Sequence, residues 1–333
     1  MKILIDIGHP AHVHYFKNFI RIMESKGHQI AVIAKDRNVT HELLASYNIS
    51  FISRKDYPRH LLGKLITIPA TDLFVVKEAL KFKPDIVLGF SGTHISHAGW
   101  ILGIPSIVFD DTDHAALAHL SYKYFSTTII TPNCFNKDFG NKHIRFNSYM
   151  ELCYLHPKYY KSKPDVLKIL GLLQNEKFVV LRFVSWSASH DVGQSGLNYK
   201  TKIELVEQIK KYAKIFISSE SVLPKRFQKY KINIAPHQMH DVLSHASLYI
   251  GEGATMASEC AILGTPAIYI NSLEVGYCSE QEKVYRLLYG FRDSKGVVKK
   301  ALKLLKTKNL KKMHKTRCGN MIKEKIDPTA FMA

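Results

Sequence analysis

Leu248-Tyr249-Ile250-Gly251-Glu252-Gly253-Ala254-Thr255-Met256-Ala257-Ser258-Glu259-Cys260-Ala261-Ile262-Leu263-Gly264-Thr265-Pro266 decides the fold. An apolar strand runs into a glycine turn, the turn opens a helix, and Gly264-Thr265-Pro266 closes that helix and starts another apolar strand. Gly251 and Gly253 allow close backbone approach. A helix opening near Ala254 presents unpaired N–H groups and the positive end of its dipole, an anion site suited to a diphosphate. Glu259 lies about a turn and a half into that helix, beyond capping reach. Facing an opening, its carboxylate would accept hydrogen bonds from both ribose hydroxyls. A βα turn of any parallel sheet can also carry glycines, and that plainer reading stays open.

The same alternation extends in both directions. Residues 2–7, 29–34, 49–53, 85–90, 106–109 and 127–131 read as strands, with amphipathic helices over 15–26 and 71–82 among the intervening stretches, the signature of a parallel sheet. Ile86-Val87-Leu88 and Ile107-Val108-Phe109 are continuous apolar runs, as buried parallel strands should be. Residues 154–164, polar and aromatic with two prolines, interrupt the pattern. After them strands over 178–183, 215–218, 248–250 and 267–270 alternate with helices over 202–213, 241–246 and 254–263. The expectation is an α/β chain of two doubly wound Rossmann-like domains, 1–158 and 165–333, facing a central cleft, with ligands at the carboxyl ends of the strands.

Length and composition agree with two cores: 333 residues, 46% of them hydrophobic. The cysteines, Cys134, Cys153, Cys260, Cys278 and Cys318, are scattered and odd in number, which argues against a disulfide framework or a thiolate zinc site and for a reducing cytoplasm. Met1-Lys2-Ile3-Leu4 runs straight into the first strand without a secretion signal. The apolar stretch from Leu61 to Val76 is broken by Lys64, Pro69 and Asp72, so no membrane span is expected.

The net charge is +19. Residues 1–160 carry 18 basic and 13 acidic side chains, +5, which leaves +14 for the remainder, much of it between Lys299 and Arg317. A solvated helix face accounts for such a run. Because those lysines interleave with Val297, Val298, Ala301, Leu302, Leu304 and Leu305, peripheral contact with an anionic membrane or a lipid-linked acceptor is the second reading. Nucleic acid is not an expected partner, since no zinc-finger spacing, ribonucleoprotein motif or helix-turn-helix is visible.

Several polar loops follow apolar strands. Gly8-His9-Pro10-Ala11-His12-Val13-His14 opens the first helix, and its histidines suit phosphate binding, proton transfer or capping, with His9 and His12 the candidates. A zinc site there lacks a partnering carboxylate or cysteine. Ser91-Gly92-Thr93-His94 is similar, with Thr93 a ready cap and His97 expected to pack. Asp110-Asp111-Thr112-Asp113-His114 is the densest acidic cluster. Adjacent carboxylates raise one another's proton affinity, so Asp111 or Asp113 is the candidate base with His114 assisting, while magnesium binding and helix capping by Asp110 or Asp113 stay open. Arg182, leaving an apolar strand, should meet an anion: a diphosphate, Asp191 or Glu220. His190 is placed at the phosphate or the leaving group.

The segment 248–266 resembles the nucleotide-sugar-binding region of the glycosyltransferase-B superfamily, which includes the lipid-linked N-acetylglucosaminyl transferase of peptidoglycan synthesis and the non-hydrolysing UDP-N-acetylglucosamine 2-epimerases. That resemblance implies that Glu259 holds the ribose and that Gly253, Ala254 and Thr255 lie by the diphosphate. It also implies that Ser219 and His237, in Ser218-Ser219-Glu220 and His237-Gln238-Met239-His240, contact base and ribose; His237 serves equally as a helix cap. The Gly8-His9-Pro10 turn resembles the glycine loop near the acceptor. On Asp6 to His12, Phe90 to His94, Phe109 to Ala115, Arg182-Phe183 with Ser189-His190-Asp191, and the segment 248–266, the chain looks most like an uncharacterised archaeal and bacterial family of this fold, catalogued as a domain of unknown function and often assigned to surface-polysaccharide synthesis.

The function expected is transfer of a hexosyl or N-acetylhexosaminyl group from a nucleoside diphosphate sugar to a carbohydrate or lipid-linked acceptor. The nucleotide sugar is a substrate, and no resident cofactor or metal is expected. Two alternatives stand beside it. One is a nucleotide-sugar 2-epimerase, although the His-x-Glu-Ala-Gly-x-Arg loop of that family is missing. The other is a non-catalytic nucleotide-sugar-binding protein. The location expected is cytoplasmic, with the inner membrane face as the peripheral option.

Overall fold

The computed structural model describes residues 1–55, 61–173, 175–184 and 196–333, with residues 61–66 as backbone only. It divides into two compact units: Met1–Tyr154 together with Ile326–Ala333, and Leu155–Lys325.

The first unit holds β1 (Lys2–Ile7), β2 (Gln29–Lys35), β3 (Ile52–Arg54), β4 (Ile86–Phe90), β5 (Ser106–Phe109), β6 (Thr128–Pro132) and β7 (His143–Phe146). They form a parallel seven-stranded sheet in the order β3-β2-β1-β4-β5-β6-β7. Ile3, Leu4, Ile5, Ile7, Val87 and Val108 are buried, as expected of strands covered on both faces. The second unit holds β8 (Phe178–Phe183), β9 (Lys214–Ser219), β10 (Leu248–Gly251), β11 (Ala267–Ile270) and β12 (Leu288–Phe291), parallel in the order β12-β11-β10-β8-β9. Its core joins Val179, Leu181, Ile217, Ile250 and Ile268 to the helices Tyr199–Ile209 and Val297–Lys306.

The expected α/β class, with two doubly wound Rossmann-like sheets, is present. Two edge strands, β7 and β12, are additions; both are short, and His143, Arg145 and Gly290 dilute their apolar character. The first helix starts at Pro10 rather than at residue 15. Proline at the first helical position gives up an N–H that would have no partner there, and its fixed φ suits the turn. The helix Leu61–Phe82 runs through Pro69 instead of starting at residue 71. Loss of one N–H is tolerated, and Thr71 Oγ1 donates to the Thr67 carbonyl at 2.8 Å.

Where the sequence pattern groups 165–333 together, Ile326–Ala333 packs in the first unit. Asp327 caps the short helix Pro328–Met332, Thr329 Oγ1 donates to the Cys153 carbonyl at 2.9 Å, and Phe331 stacks on Phe146. None of the five cysteines is joined in a disulfide. Among the described residues no helix is long and apolar enough to cross a membrane.

Candidate functional site

In each sheet the strand order reverses once, between β1 and β4 in the first and between β8 and β10 in the second. Neighbouring connections leave such a switch point in opposite directions, which opens a crevice at the carboxyl edge where ligands of α/β sheets bind. The polar loops of the sequence that fall among the described residues lie at these two edges.

In the second unit, β10 ends at Gly251, opposite Arg182 of β8. A Cβ at Gly251 would collide with the Tyr249 hydroxyl and lie 2.7 Å from Arg182 Cβ, so only glycine fits. The helix Ala254–Ile262 then begins with Gly253 at its N-cap and no side-chain capping bond. Gly253, Ala254 and Thr255, which carry the amide-rich end, are partly exposed. Arg182 meets its anion in Glu220: Nη2 donates to Oε1 at 2.7 Å, and Nη1 donates to Ser218 Oγ at 2.7 Å. The guanidinium, 21% exposed, is thus aimed from two sides.

Glu259 is nearly buried and pairs with His240, Nε2 to Oε1 at 3.0 Å. Tyr160 lies edge-on to the His240 ring, and its hydroxyl donates to Asp241 at 2.7 Å. Ser219, at the end of β9, accepts the Ser221 N–H at 3.3 Å. His237 sits exposed in the 3-10 turn Pro236–Gln238 rather than in a cap. His190, with Ser189 and Asp191, lies outside the described residues.

Glu252, to which the sequence assigns no role between its two glycines, organises this edge. Its buried carboxylate accepts the Val184 N–H at 3.0 Å and the Leu197 N–H at 2.8 Å, with Lys202 Nζ at 3.4 Å. One side chain therefore ties together the backbone on both sides of residues 185–195.

At the first unit's edge, His9 is the exposed N-cap of the helix Pro10–Ser25, its Nδ1 accepting the Ala11 N–H at 3.2 Å. His12 Nδ1 accepts the Gly8 N–H at 3.3 Å, which leaves the proton of the neutral ring on Nε2. Burial, then the nearby His9, Arg54 and Arg37, holds His12 well below the usual histidine range, so this ring is neutral at pH 7. Behind it Arg54 and Asp6 form a buried two-point ion pair, at 2.9 and 3.2 Å.

The acidic cluster separates into distinct roles. Asp110, fully buried, accepts Ser91 Oγ at 2.9 Å, Tyr122 Oη at 2.7 Å and the Thr112 N–H at 2.8 Å. Asp113 accepts the Asn136 N–H at 2.6 Å, which ties down a loop. Asp111 differs. Thr112 Oγ1 donates to its Oδ1 at 3.2 Å, but its buried Oδ2 has no partner among the described residues. Burial, reinforced by Asp110 and Asp113, pushes its carboxyl up to about 8. His114 is half-buried in the same loop. The two loops connect through the end of β4, where Phe90 lies 4.9 Å from the His12 ring and Ser91 reaches Asp110.

A second group is invisible as a unit in the sequence. Asp72 bridges His94 Nδ1 and His97 Nδ1, both at 2.7 Å, and His97 Nε2 reaches the Ser121 carbonyl at 2.8 Å. Oxygen atoms face both ring nitrogens of His97, and hydrogen bonding to Asp72 raises its pKa above the usual histidine value. Asp72 lies 22 residues from His94, a separation that periodicity cannot reveal. Among the described residues no three His, Cys, Asp or Glu side chains gather as a metal site.

An uncharacterized protein of Methanocaldococcus jannaschii is 24% identical over 279 residues, 80% of this chain and 81% of its own length. The UDP-GlcNAc 2-epimerase of Neisseria meningitidis, solved bound to UDP-GlcNAc, superposes with a TM-score of 0.67 at 14% identity, covering 100% of both chains. The Streptomyces sp. SF2575 glycosyltransferase SsfS6 does so with a TM-score of 0.61 at 11% identity, covering 100% of this chain and 99% of its own. Identities this low show a common fold, the glycosyltransferase-B fold that the sequence resembles. Residues 1–327 match the family described as a protein of unknown function (DUF354), and the chain belongs to that family.

Proposed function

We propose that the second unit binds a nucleoside diphosphate sugar and that the protein transfers the sugar to a hydroxyl of a carbohydrate or lipid-linked acceptor. What supports this above all is the partly exposed start of the helix Ala254–Ile262, without a side-chain cap among the described residues, at the switch point between β8 and β10 and beside Arg182. Transfer leaves negative charge on the departing diphosphate. Fixed amides and an oriented guanidinium stabilise that charge without reorganising.

In this proposal the ribose hydroxyls donate to Glu259, which His240 holds in place. Asp111 takes the proton of the acceptor hydroxyl. A carboxyl titrating at about 8 is a far stronger base, once ionised, than an ordinary aspartate. The nucleotide sugar enters as substrate, and the chemistry calls on no resident cofactor.

Epimerisation at the sugar's C2 is the second reading, favoured by the same Asp111, since a carboxyl titrating near neutrality can remove and return a proton. Incubation with a panel of nucleotide sugars and cell-envelope acceptors separates the two. Release of nucleoside diphosphate only when an acceptor is present supports transfer. Deuterium uptake at C2 without acceptor supports epimerisation. Binding without either reaction, unchanged by Asp111→Asn, reduces the protein to a nucleotide-sugar binder and refutes both.

A further inference from the structure

The helices Leu61–Phe82, Thr93–Leu102 and Ala116–Tyr122 lie side by side on the first unit. Polar ties join them on the inside: Asp72 to His94 and His97, His97 to the Ser121 carbonyl, and Thr93 Oγ1 to Ser121 Oγ at 2.6 Å. Their outer face is apolar. Leu80, Trp100, Ile101, Leu117, Leu120 and Tyr124 are each more than half exposed, Leu117 to 77%. The Trp100 ring lies 5.5 Å from Phe125, the residue after Tyr124, which joins the ends of two helices into one surface.

Scattered exposed leucines need no explanation, but five large apolar side chains on three adjoining helices, with Tyr124 just beyond the third, offer a face of the kind that docks on a partner or a membrane. Charge selects the occupant. Lys77 and Lys81 rise from the first helix, and Lys123 leans over the Tyr124 ring at 4.6 Å. The second and third helices contain no acidic residue. In the first, Glu78 is engaged by Lys81 and Asp72 by the two histidines. Two copies of this face meeting about a twofold axis would bring like charges together. A surface of tryptophan, tyrosine and aliphatic side chains flanked by lysines suits the headgroup boundary of an anionic bilayer.

The C-terminal lysines lack this combination. Val297, Ala301 and Leu304 of the helix Val297–Lys306 are buried in the second core, so the apolar stripe that the sequence interleaves with lysine is already occupied.

We propose that the outer face of these three helices docks on anionic lipid, Trp100, Ile101, Leu117 and Leu120 entering the headgroup–acyl boundary and Lys77 and Lys123 meeting lipid phosphates. This docking does not depend on the reaction catalysed.

Sedimentation of the full chain with vesicles tests it. The protein should pellet with phosphatidylcholine vesicles containing phosphatidylglycerol and stay in solution with phosphatidylcholine alone. Trp100→Glu with Leu117→Glu, both exposed and so compatible with an unchanged melting temperature, should weaken pelleting about tenfold or more. Lys77→Glu and Lys123→Glu should each weaken it about fivefold or more, and Lys299→Glu with Lys303→Glu should leave it unchanged. A second readout needs no change in the face. In Trp186→Phe protein Trp100 is the one tryptophan left, and its emission should shift to the blue on anionic vesicles alone. Wild-type protein left in the supernatant, pelleting indifferent to the Trp100 and Leu117 changes, or a dimer that those changes split while pelleting persists would overturn the proposal.

Discussion

Asp111→Asn should make the protein more stable at alkaline pH and much less active. The carboxyl titrates near 3.8 in the unfolded chain and at about 8 in the folded one, chiefly because it is buried and then because Asp110 lies beside it. Below pH 4 both states hold the proton, and the group costs nothing. As pH rises toward 8 the folded chain keeps a proton that the unfolded chain has lost, so stability falls across that window and the whole penalty is present above it. About four pH units at 1.36 kcal/mol each give a ceiling of about 5 to 6 kcal/mol. Between pH 4.5 and 8.5 roughly three of those units are swept, and Asp110 shares the titration, so about 2 to 4 kcal/mol is expected over that range. The asparagine variant carries no such penalty. Urea unfolding of both proteins at the two pH values reads the combined effect on the Asp110–Asp111 pair, since the titrating groups away from that pair are common to both proteins. The variant should gain on the wild type by that amount. Turnover, if Asp111 is the base, should fall by about 10²- to 10⁴-fold. A stability gap constant with pH to within about 1 kcal/mol would refute the assignment of a retained proton to Asp111.

Glu252→Ala leaves the Val184 and Leu197 N–H groups without their acceptor and should cost about 3 to 5 kcal/mol in urea unfolding. Gly251→Ala forces a Cβ against Tyr249 and Arg182; about 1 to 3 kcal/mol of destabilisation and a lower melting temperature are expected. Arg54→Met strands the buried Asp6 carboxylate and should cost about 3 to 5 kcal/mol, read by the same unfolding assay. Under the proposed function, in which Glu259 accepts both ribose hydroxyls, Glu259→Gln should raise the Kd of the nucleotide sugar about tenfold or more in calorimetry.

The sheets are legible because buried parallel strands leave continuous apolar runs, as in Ile86-Val87-Leu88, whereas β7 and β12 sit at sheet edges and carry His143, Arg145 and Gly290. The glycine turn at Gly251 is legible for a local reason as well: close backbone approach demands glycine whatever the rest of the chain does. The partners of the site residues are not. His240 meets Glu259 across 19 residues of sequence and Arg54 meets Asp6 across 48. Neither pairing follows from a period of two or 3.6. Glu252 is hidden differently, since an acid between two glycines reads as a solvated turn until the backbone of Val184 and Leu197 is seen to converge on it. Of the roles open to His9 in the sequence, the structure shows the helix cap, its Nδ1 accepting the Ala11 N–H.

The acidic loop shows why position within a cluster matters more than the cluster. Ser91 adopts a left-handed φ of +47° at the end of β4, a conformation that costs a residue with a Cβ about 1 to 2 kcal/mol. Two bonds hold it there: its N–H donates to the Phe109 carbonyl, and its hydroxyl to Asp110 at 2.9 Å. Asp110 thus commits both oxygens to Ser91, Tyr122 and Thr112, and Asp113 is engaged by the Asn136 N–H. With its neighbours holding the backbone, Asp111 is the member of the three that keeps a buried oxygen without a partner among the described residues. Burial raises the carboxyls of both Asp110 and Asp111; the donors on Asp110 offset part of that rise, whereas on Asp111 burial and the charges of Asp110 and Asp113 outweigh the single donor from Thr112 and push it up to about 8.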